Sequence, residues 1–441
     1  MKRGRWIGSI LFYVAAVSFV SCGGSDDPVE PVLSGGVEID RTELEMYVGD
    51  SELLAAEVMP AEAFDKRVAW VSSDEAVATV TADGTVTAHA LGRAVVTASA
   101  GGWTARCAVH VVPRENLYAA GVAADAAGRK IAVVWKNGEA QPLTDGTRDA
   151  EARSIWVSPA GDVYAAGFEN DGTNEIACVW KNGMIRRLTA AENDSRALAV
   201  CGSEAGTVYV AGFEGTGGGT SVARLWDGET CAEAMDLQQS AGQNRATGIC
   251  IGKFGKVYVS GFIDRMDGDG RFPLYWLDGK TVALYRPGGT SEANAVSLGY
   301  DYNRQEELVF AAGTTYRSQS PHSFYWYHNL MYFQVSTRPS ELYAVCRTDE
   351  STYTAGWELN GAEQKQGCVW RNQNVLYRFQ GDGVYGSVVY TMQVVSAEEI
   401  YTAGFEYIGK KQSPVVWKNG ERLCVLDAAT DEGTAYAVFK Q

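Results

Sequence analysis

Between residues 117 and 440, apolar and polar positions alternate in short stretches that return at a near-constant spacing. In the second unit, Asp162 to Phe168 alternates and a further apolar stretch ends at Trp180. Asn182-Gly183 then supplies the turn that joins two strands in a tight hairpin. Two more stretches follow, from Met184 to Leu188 and from Arg196 to Val200. One unit therefore predicts four antiparallel strands.

Seven copies of this unit are marked by a strand that ends in Ala-Gly or Ser-Gly and by a Trp 13 to 15 residues later. Whole units are 43 to 52 residues long, a period typical of repeat architectures. We expect each Gly to allow close approach of a neighbouring sheet and each Trp to wedge between units. The glycines are Gly121, Gly167, Gly212, Gly261, Gly313, Gly356 and Gly404, and the tryptophans are Trp135, Trp180, Trp226, Trp276, Trp326, Trp370 and Trp417.

The ends of the array indicate how it closes. In each unit the fourth strand is the one equivalent to Arg196 to Val200. No such fourth-type strand precedes Leu117 to Gly121, where the array begins. The array ends on a fourth-type strand without a partner, Thr434 to Phe439. The last strand can therefore complete the first unit. We predict that residues 113–441 form a seven-bladed β-propeller closed by the C-terminal strand. The repeat resembles the propeller superfamily in general and none of its named subtypes.

Residues 37–112 alternate in short strands separated by turn residues, which predicts a β-sandwich. Trp70-Val71-Ser72-Ser73-Asp74 is followed by Val77 to Val80, then by Gly84 to Ala88, then by Gly92. This run resembles a bacterial immunoglobulin-like domain of group 2, which implies a spacer or stalk. The predicted fold class is therefore all-β, an N-terminal immunoglobulin-like sandwich followed by the propeller.

The N-terminus has the features of an export signal. Lys2, Arg3 and Arg5 precede the apolar stretch from Trp6 to Val20, which is short for a membrane span and ends at Ser21-Cys22. The sequence around Cys22 resembles a bacterial lipoprotein box. The acidic residues that follow resemble the export tag of Bacteroidetes surface lipoproteins. The resemblance implies a signal peptide over 1–21, lipid on Cys22, a flexible acidic linker over 22–36, and an outer-membrane protein exposed at the cell surface.

Composition excludes several classes of function. A net charge of −16 argues against nucleic acid and against electrostatic binding to anionic lipid. The eight cysteines after Cys22 lack Cys-x-x-Cys spacing and the chain has four His, so we predict no metal site. The run from Asp264 to Gly270 lacks the ligand spacing of a calcium loop. We predict no cofactor and expect a monomer.

The Ala-rich fourth-type strand is predicted to be innermost, because small residues suit a crowded axis. The loops that precede it, and the loops after the Ala-Gly strand, then lie on one face of the disc, with the Asn-Gly turns on the other. Repeat proteins that vary the loops of one face commonly bind there. The longest of these loops are Glu169 to Glu175, Glu214 to Ser221, Ile263 to Arg271 and Thr314 to Ser323.

Aligning the innermost strands predicts one axial ring in which three consecutive arginines face three tyrosines. Arginine suits carboxylates or sulfates, and tyrosine suits the flat face of a sugar. The alternative is that these side chains only fill the channel mouth. We expect no acidic residue in this ring. Its members are Arg153, Arg196, Arg245, Asn294, Tyr343, Tyr390 and Tyr436.

Three functions fit these features. The first is a non-catalytic surface lipoprotein whose loop face binds a glycan or a host or partner protein. The second is a propeller enzyme acting on carbohydrate, which needs paired carboxylates near the axis. The third is a scaffold subunit of an outer-membrane complex. The axial polar ring favours the first, and the chain is predicted not to be an enzyme.

Overall fold

The structure is a computed structural model, and it describes residues 35–112, 116–203, 205–237, 241–265, 270–286, 289–318, 320–327, 330–333, 336–380, 386–426 and 432–441. All regular elements within these ranges are β-strands, so the all-β class is confirmed. The predicted signal peptide (1–21), Cys22 and most of the linker lie outside the described residues.

The N-terminal domain is a sandwich of short strands. A four-stranded sheet has the order β2-β9-β8-β5, a three-stranded sheet has the order β3-β7-β6, and β1 pairs with β4. Leu44, Val86 and Val109 belong to the core, against which the partly buried Trp70 packs. Its strands are β1 (Gly36–Ile39), β2 (Glu43–Tyr47), β3 (Ser51–Leu53), β4 (Ala56–Met59), β5 (Ala69–Ser72), β6 (Ala78–Val80), β7 (Thr85–Ala88), β8 (Gly92–Ala100) and β9 (Trp103–Val112).

The repeats form the remaining strands. The first fourteen are β10 (Leu117–Ala124), β11 (Lys130–Lys136), β12 (Glu139–Pro142), β13 (Ala150–Val157), β14 (Val163–Asn170), β15 (Glu175–Lys181), β16 (Met184–Arg187), β17 (Ser195–Gly202), β18 (Val208–Gly217), β19 (Thr220–Asp227), β20 (Glu233–Met235), β21 (Asn244–Ile251), β22 (Val257–Arg265) and β23 (Gly270–Leu277). The others are β24 (Lys280–Ala283), β25 (Thr290–Asp301), β26 (Glu306–Arg317), β27 (Ser320–Tyr327), β28 (Leu330–Phe333), β29 (Ser340–Arg347), β30 (Thr352–Leu359), β31 (Lys365–Arg371), β32 (Asn374–Arg378), β33 (Ser387–Ser396), β34 (Glu399–Ile408), β35 (Lys411–Lys418), β36 (Glu421–Val425) and β37 (Gly433–Lys440).

These strands form seven antiparallel four-stranded sheets within the described residues, the number that the sequence predicts. The innermost strands contact one another in sequence from β13 to β33, and β37 contacts both β33 and β13. The ring is therefore closed by the C-terminal strand, as predicted. Written from the axis outward, the blades are β37-β10-β11-β12, β13-β14-β15-β16, β17-β18-β19-β20, β21-β22-β23-β24, β25-β26-β27-β28, β29-β30-β31-β32 and β33-β34-β35-β36.

Each repeat glycine lies so close to another strand that a side chain would not fit. Contrary to the sequence prediction, that strand does not belong to a neighbouring sheet. A Cβ on Gly167 would lie 1.9 Å from the carbonyl oxygen of Glu151, which belongs to the innermost strand of the same sheet. The other six repeat glycines face the equivalent carbonyl at 1.9 to 2.0 Å. The expectation of a neighbouring sheet is wrong, because a bulge in the innermost strand pushes its backbone against the glycine.

The repeat tryptophans fill the space between blades, as predicted. Trp180 packs with Ala120, Ala132 and Val134 of the preceding blade. Trp135 packs with Val416 of the last blade, which makes the ring continuous. All seven indoles are at most 3% exposed, so they belong to the core and not to a binding surface.

The two faces of the disc differ as predicted. Ala150, at the start of β13, pairs with Glu169, near the end of β14, so the loops before β13 and after β14 share one face. We call this the loop face. The other, the turn face, carries tight turns such as Asn182-Gly183, where Asn182 has a positive φ. Arg93 of the sandwich forms an ion pair with Glu139, just after the first of these turns. The domain contact therefore lies opposite the loop face.

The closing strand is also held by side chains. The Oε1 atom of Glu399 accepts hydrogen bonds from the Lys440 Nζ at 2.9 Å, the Lys418 Nζ at 3.0 Å and the Tyr401 hydroxyl at 2.8 Å. The bond from Lys440 is the largest cause of a pKa for Glu399 of about 2. The carboxylate is therefore ionised at neutral pH and ties β37 to the last blade.

Candidate functional site at the propeller axis

The innermost strands enclose a cavity of about 450 Å³ on the propeller axis. Arg153, Asn294, Tyr343, Tyr390 and Tyr436 are among its lining residues. Further along the strands the lining is mostly apolar. It includes small residues, which fit the prediction that small residues face the axis, together with larger ones such as Ile249 and Met392. These small residues are Ala199, Gly248, Ala295, Ala344 and Ala437.

A β-bulge in each innermost strand decides which side chains reach this cavity. In β13, Ala152 pairs with Gly167 and Ser154 pairs with Ala166, so Arg153 is the extra residue. Such an insertion re-aims the side chain of the bulged residue. The same irregularity recurs opposite each repeat glycine. We call the extra residues the bulge ring; they are Arg153, Leu198, Thr247, Asn294, Tyr343, Tyr390 and Tyr436.

Two of the predicted ring residues therefore belong to a different layer. Arg196 and Arg245 lie two residues before the bulge in their strands, nearer the loop face. The prediction of three equivalent arginines is wrong, because an alignment by spacing cannot see the bulge. We call the layer that contains Arg196 and Arg245 the mouth ring; its members are Glu151, Arg196, Arg245, Glu292, Glu341, Val388 and Thr434.

The bulge ring contains no acidic residue, as expected for the axial ring, but the mouth ring contains three. Glu151, Glu292 and Glu341 occupy positions equivalent to the two arginines. The sequence contained a usable signal for them. A small, buried residue precedes most mouth-ring positions, as in Ser195-Arg196, Ser291-Glu292 and Ser340-Glu341. Aligning on that residue would have placed the carboxylates in the ring.

The three predicted tyrosines do come together. The ring centroids of Tyr343 and Tyr390 are 5.0 Å apart, and those of Tyr390 and Tyr436 are 5.1 Å apart. The Arg153 guanidinium lies 4.1 Å from the centroid of Tyr436. Burial raises the pKa of Tyr343 and of Tyr390, so both phenols keep their protons at neutral pH. One side of the axis is thus a continuous row of aromatic rings, in tilted and edge-on contact, that ends in a guanidinium.

Most arginines near the mouth are neutralised. The Nη1 atom of Arg153 lies 3.2 Å from Glu151, which also binds the Lys130 Nζ at 2.7 Å. The Nη2 atom of Arg196 lies 2.7 Å from Glu175 of the neighbouring strand β15. Glu175 comes from outside the innermost strands, so their alignment alone could not predict this partner. Two of the three predicted anion-binding residues therefore already hold a carboxylate.

Asn294 and Glu341 are bound differently. The Nδ2 atom of Asn294 donates to the carbonyl oxygen of Leu342 at 2.8 Å, which ties two blades together. Glu341 accepts hydrogen bonds from the Tyr316 hydroxyl and from the Trp357 Nε1, each at 3.1 Å, and from the Tyr343 hydroxyl. Asn294 thus has a structural partner, and Glu341 is a carboxylate held by neutral donors.

The described residues contain no group of three or more His, Cys, Asp or Glu side chains arranged to hold a metal ion. Nor do they contain a helix long and apolar enough to span a bilayer. The eight described cysteines are free thiols, and burial raises the pKa of Cys178 to about 12. That thiol stays protonated and unreactive at neutral pH.

Comparison with known proteins supports the N-terminal assignment. Residues 35–109 match the family model of the bacterial Ig-like domain (group 2). An α-L-arabinofuranosidase from Bifidobacterium longum is 42% identical over 98 residues, which is 22% of this chain. The chain spans 9% of the length of that relative.

Solved structures of low similarity align along much of the chain. A quinonprotein alcohol dehydrogenase-like protein from Bacteroides thetaiotaomicron has 10% identity and a TM-score of 0.41, covering 92% of this chain and 100% of its own. The β-propeller domain of the Trilobed protease from Pyrococcus furiosus has 9% identity and a TM-score of 0.38, covering 91% and 98%. An auxiliary nutrient binding protein from Bacteroides ovatus has 10% identity and a TM-score of 0.36, covering 94% and 99%. The propeller assignment rests on strand pairing and not on these scores.

Proposed function

We propose that this chain is a non-catalytic lipoprotein of the cell surface that binds a glycan at the axial mouth of its propeller. Its Ig-like domain acts as the spacer between the lipid anchor and the binding face. The observation that carries the proposal is the axial cavity, which is lined by three adjoining tyrosines and Arg153, with the charged mouth ring next to it on the loop-face side. Ligand sites are typically concave, largely apolar and equipped with a few convergent polar groups.

The domain arrangement supports the same conclusion. The sandwich contacts the turn face, through Arg93 and Glu139, and its Leu91 packs near Trp135. The loop face lies on the opposite side of the disc. An anchor at Cys22 would therefore leave the axial mouth accessible to a ligand outside the cell.

The charges at the mouth favour binding over catalysis. A glycosidase of the usual kind needs one protonated and one ionised carboxyl group beside the scissile bond. Glu151, Glu175 and Glu292 are each engaged in an ion pair, with Lys130, Arg196 and Arg271. Glu341 has no cationic partner among the described residues, so the enzyme alternative rests on this residue.

A glycan array probed with the purified chain tests the proposal. We expect binding to a restricted set of oligosaccharides, because the mouth is concave and its polar groups are few. Bound oligosaccharides should be recovered intact after prolonged incubation. Release of shorter products would favour the enzyme, and failure to bind any glycan, with capture of a single outer-membrane protein, would favour the scaffold alternative.

Lipid attachment has its own test. We expect Cys22→Ala to abolish incorporation of a fatty-acid probe and to release the protein from the membrane fraction, because the proposed anchor is the lipid on this thiol. Wild type and variant should be labelled metabolically and compared after fractionation. Equal labelling would contradict the anchor, and protease access on intact cells would report separately on surface display.

A further inference from the structure

Arg245 is the cation at the mouth that has no counter-ion. Its guanidinium carbon lies 4.4 Å from the centroid of the Phe213 ring. Among the described residues no carboxylate forms an ion pair with it, and its buried Nε has no hydrogen-bond partner. An unpaired charge and an unsatisfied donor in a partly desolvated site are both costly. A residue in this state calls for an explanation.

Charged groups of both signs surround Arg245. Burial is the largest cause that lowers its pKa, and the guanidiniums of Arg271 and Arg196 lower it further, whereas Glu292 and Glu175 raise it. Both carboxylates form ion pairs with other arginines, Glu175 with Arg196 and Glu292 with Arg271. Arg245 is therefore left without a carboxylate in direct contact among the described residues.

Building on the proposed glycan function, we propose that Arg245 is an anion subsite that binds the carboxylate or sulfate group of an acidic sugar. The guanidinium presents several donors in a planar fork, which matches both groups. Arg245 lies two residues nearer the loop face than Thr247, which lines the axial cavity across from Tyr390 and Tyr436. An acidic sugar can thus contact Arg245 through its anionic group while its apolar face approaches the aromatic rings.

The first test needs no glycan. Thermal unfolding is compared in sodium sulfate and in sodium chloride at equal ionic strength, for wild type and for Arg245→Met. Sulfate stabilises folded proteins in general, so it should raise the melting temperature of both proteins over chloride, and by a few degrees more for wild type than for the variant. Without sulfate the variant should be as stable as wild type or more so, because an unpaired charge has been removed. An equal sulfate effect in both proteins would overturn the subsite.

The second test uses oligogalacturonate and its methyl ester, which differ in the carboxylate alone, together with a sulfated and a neutral oligosaccharide from the array. Arg245→Met should weaken binding of the acidic forms about ten- to a hundredfold and leave the neutral forms unchanged. The matched control is Arg304→Met, which removes an exposed, ion-paired arginine between β25 and β26 on the turn face. It should bind the acidic forms within about threefold of wild type.

The outcomes separate the two proposals. Tight binding of neutral sugars with no effect of Arg245→Met would refute the anion subsite and leave glycan binding intact. A sulfate effect that depends on Arg245, without binding of any glycan, would support the subsite and refute the proposed function. Galacturonate and sulfated sugars are distinguished by which of them loses affinity in the variant.

Discussion

A chain that ends at residue 432, without β37, should lose its cooperative unfolding transition and aggregate. β37 forms seven residue pairs with β10 and supplies the innermost strand of the first blade. Its removal exposes the edge of β10 and the apolar surfaces around Ala435 and Val438, which are buried in the intact ring. The ion pair between Lys440 and Glu399 is lost as well. Calorimetry and size-exclusion chromatography of the truncated chain test this result.

Deletion of Gln441 alone is the control for that experiment. It removes hydrogen bonds to Ser158 and Asn116 but no residue of β37. Its melting temperature should stay within a few degrees of wild type. Adding a synthetic peptide of residues 432–441 to the truncated chain should restore part of the cooperative transition. Unchanged melting of the truncated chain would contradict closure of the ring.

Replacing a repeat glycine should have the second-largest effect. In Gly404→Ala the new Cβ would lie 1.9 Å from the carbonyl oxygen and 2.9 Å from the carbonyl carbon of Val388. The atoms that the new Cβ would meet belong to the backbone of a paired strand. They therefore cannot move aside by bond rotation as side-chain atoms would. We expect a loss of about 3 kcal/mol in the free energy of unfolding, the upper end of what overpacking costs. Urea denaturation of the purified variant measures it.

The matched control is Gly361→Ala in the neighbouring blade. Nothing lies within 4 Å of a Cβ built at Gly361. Its effect should be within about 0.5 kcal/mol, as for most exposed substitutions. If the two variants unfold at the same urea concentration, the close approach at the bulge is not what the repeat glycine provides.

The architecture could be predicted because its determinants are local. Each strand, such as Asp162 to Phe168, carries its own alternation, and each hairpin carries its own turn residues, such as Asn182-Gly183. The unpartnered strand at Thr434 then leaves ring closure as the natural outcome. The short strand β3 has no apolar alternation from which it could be predicted, because it is exposed at all three positions.

The site could be predicted only in part, because its determinants are non-local. The sequence correctly predicts that Tyr343, Tyr390 and Tyr436 occupy equivalent positions, because each lies at the same place in its innermost strand. Arg196 was misplaced by two residues, because the bulge beside it changes which residue faces the axis. Arg196 is neutralised by Glu175, a side chain of the strand β15 that reaches the mouth. The alternation of apolar and polar residues along one strand contains no information on the bulge or on this ion pair.

Titration of the tightest array ligand against paired tyrosine variants tests the central claim, binding at the axial mouth, most directly. Tyr390→Leu removes the middle ring of the row of tyrosines, and Tyr302→Leu is its control on the turn face, where Tyr302 is 68% exposed. We predict that Tyr390→Leu weakens binding about tenfold while Tyr302→Leu binds like wild type. Normal binding by Tyr390→Leu, or a loss confined to Tyr302→Leu, would contradict the axial site.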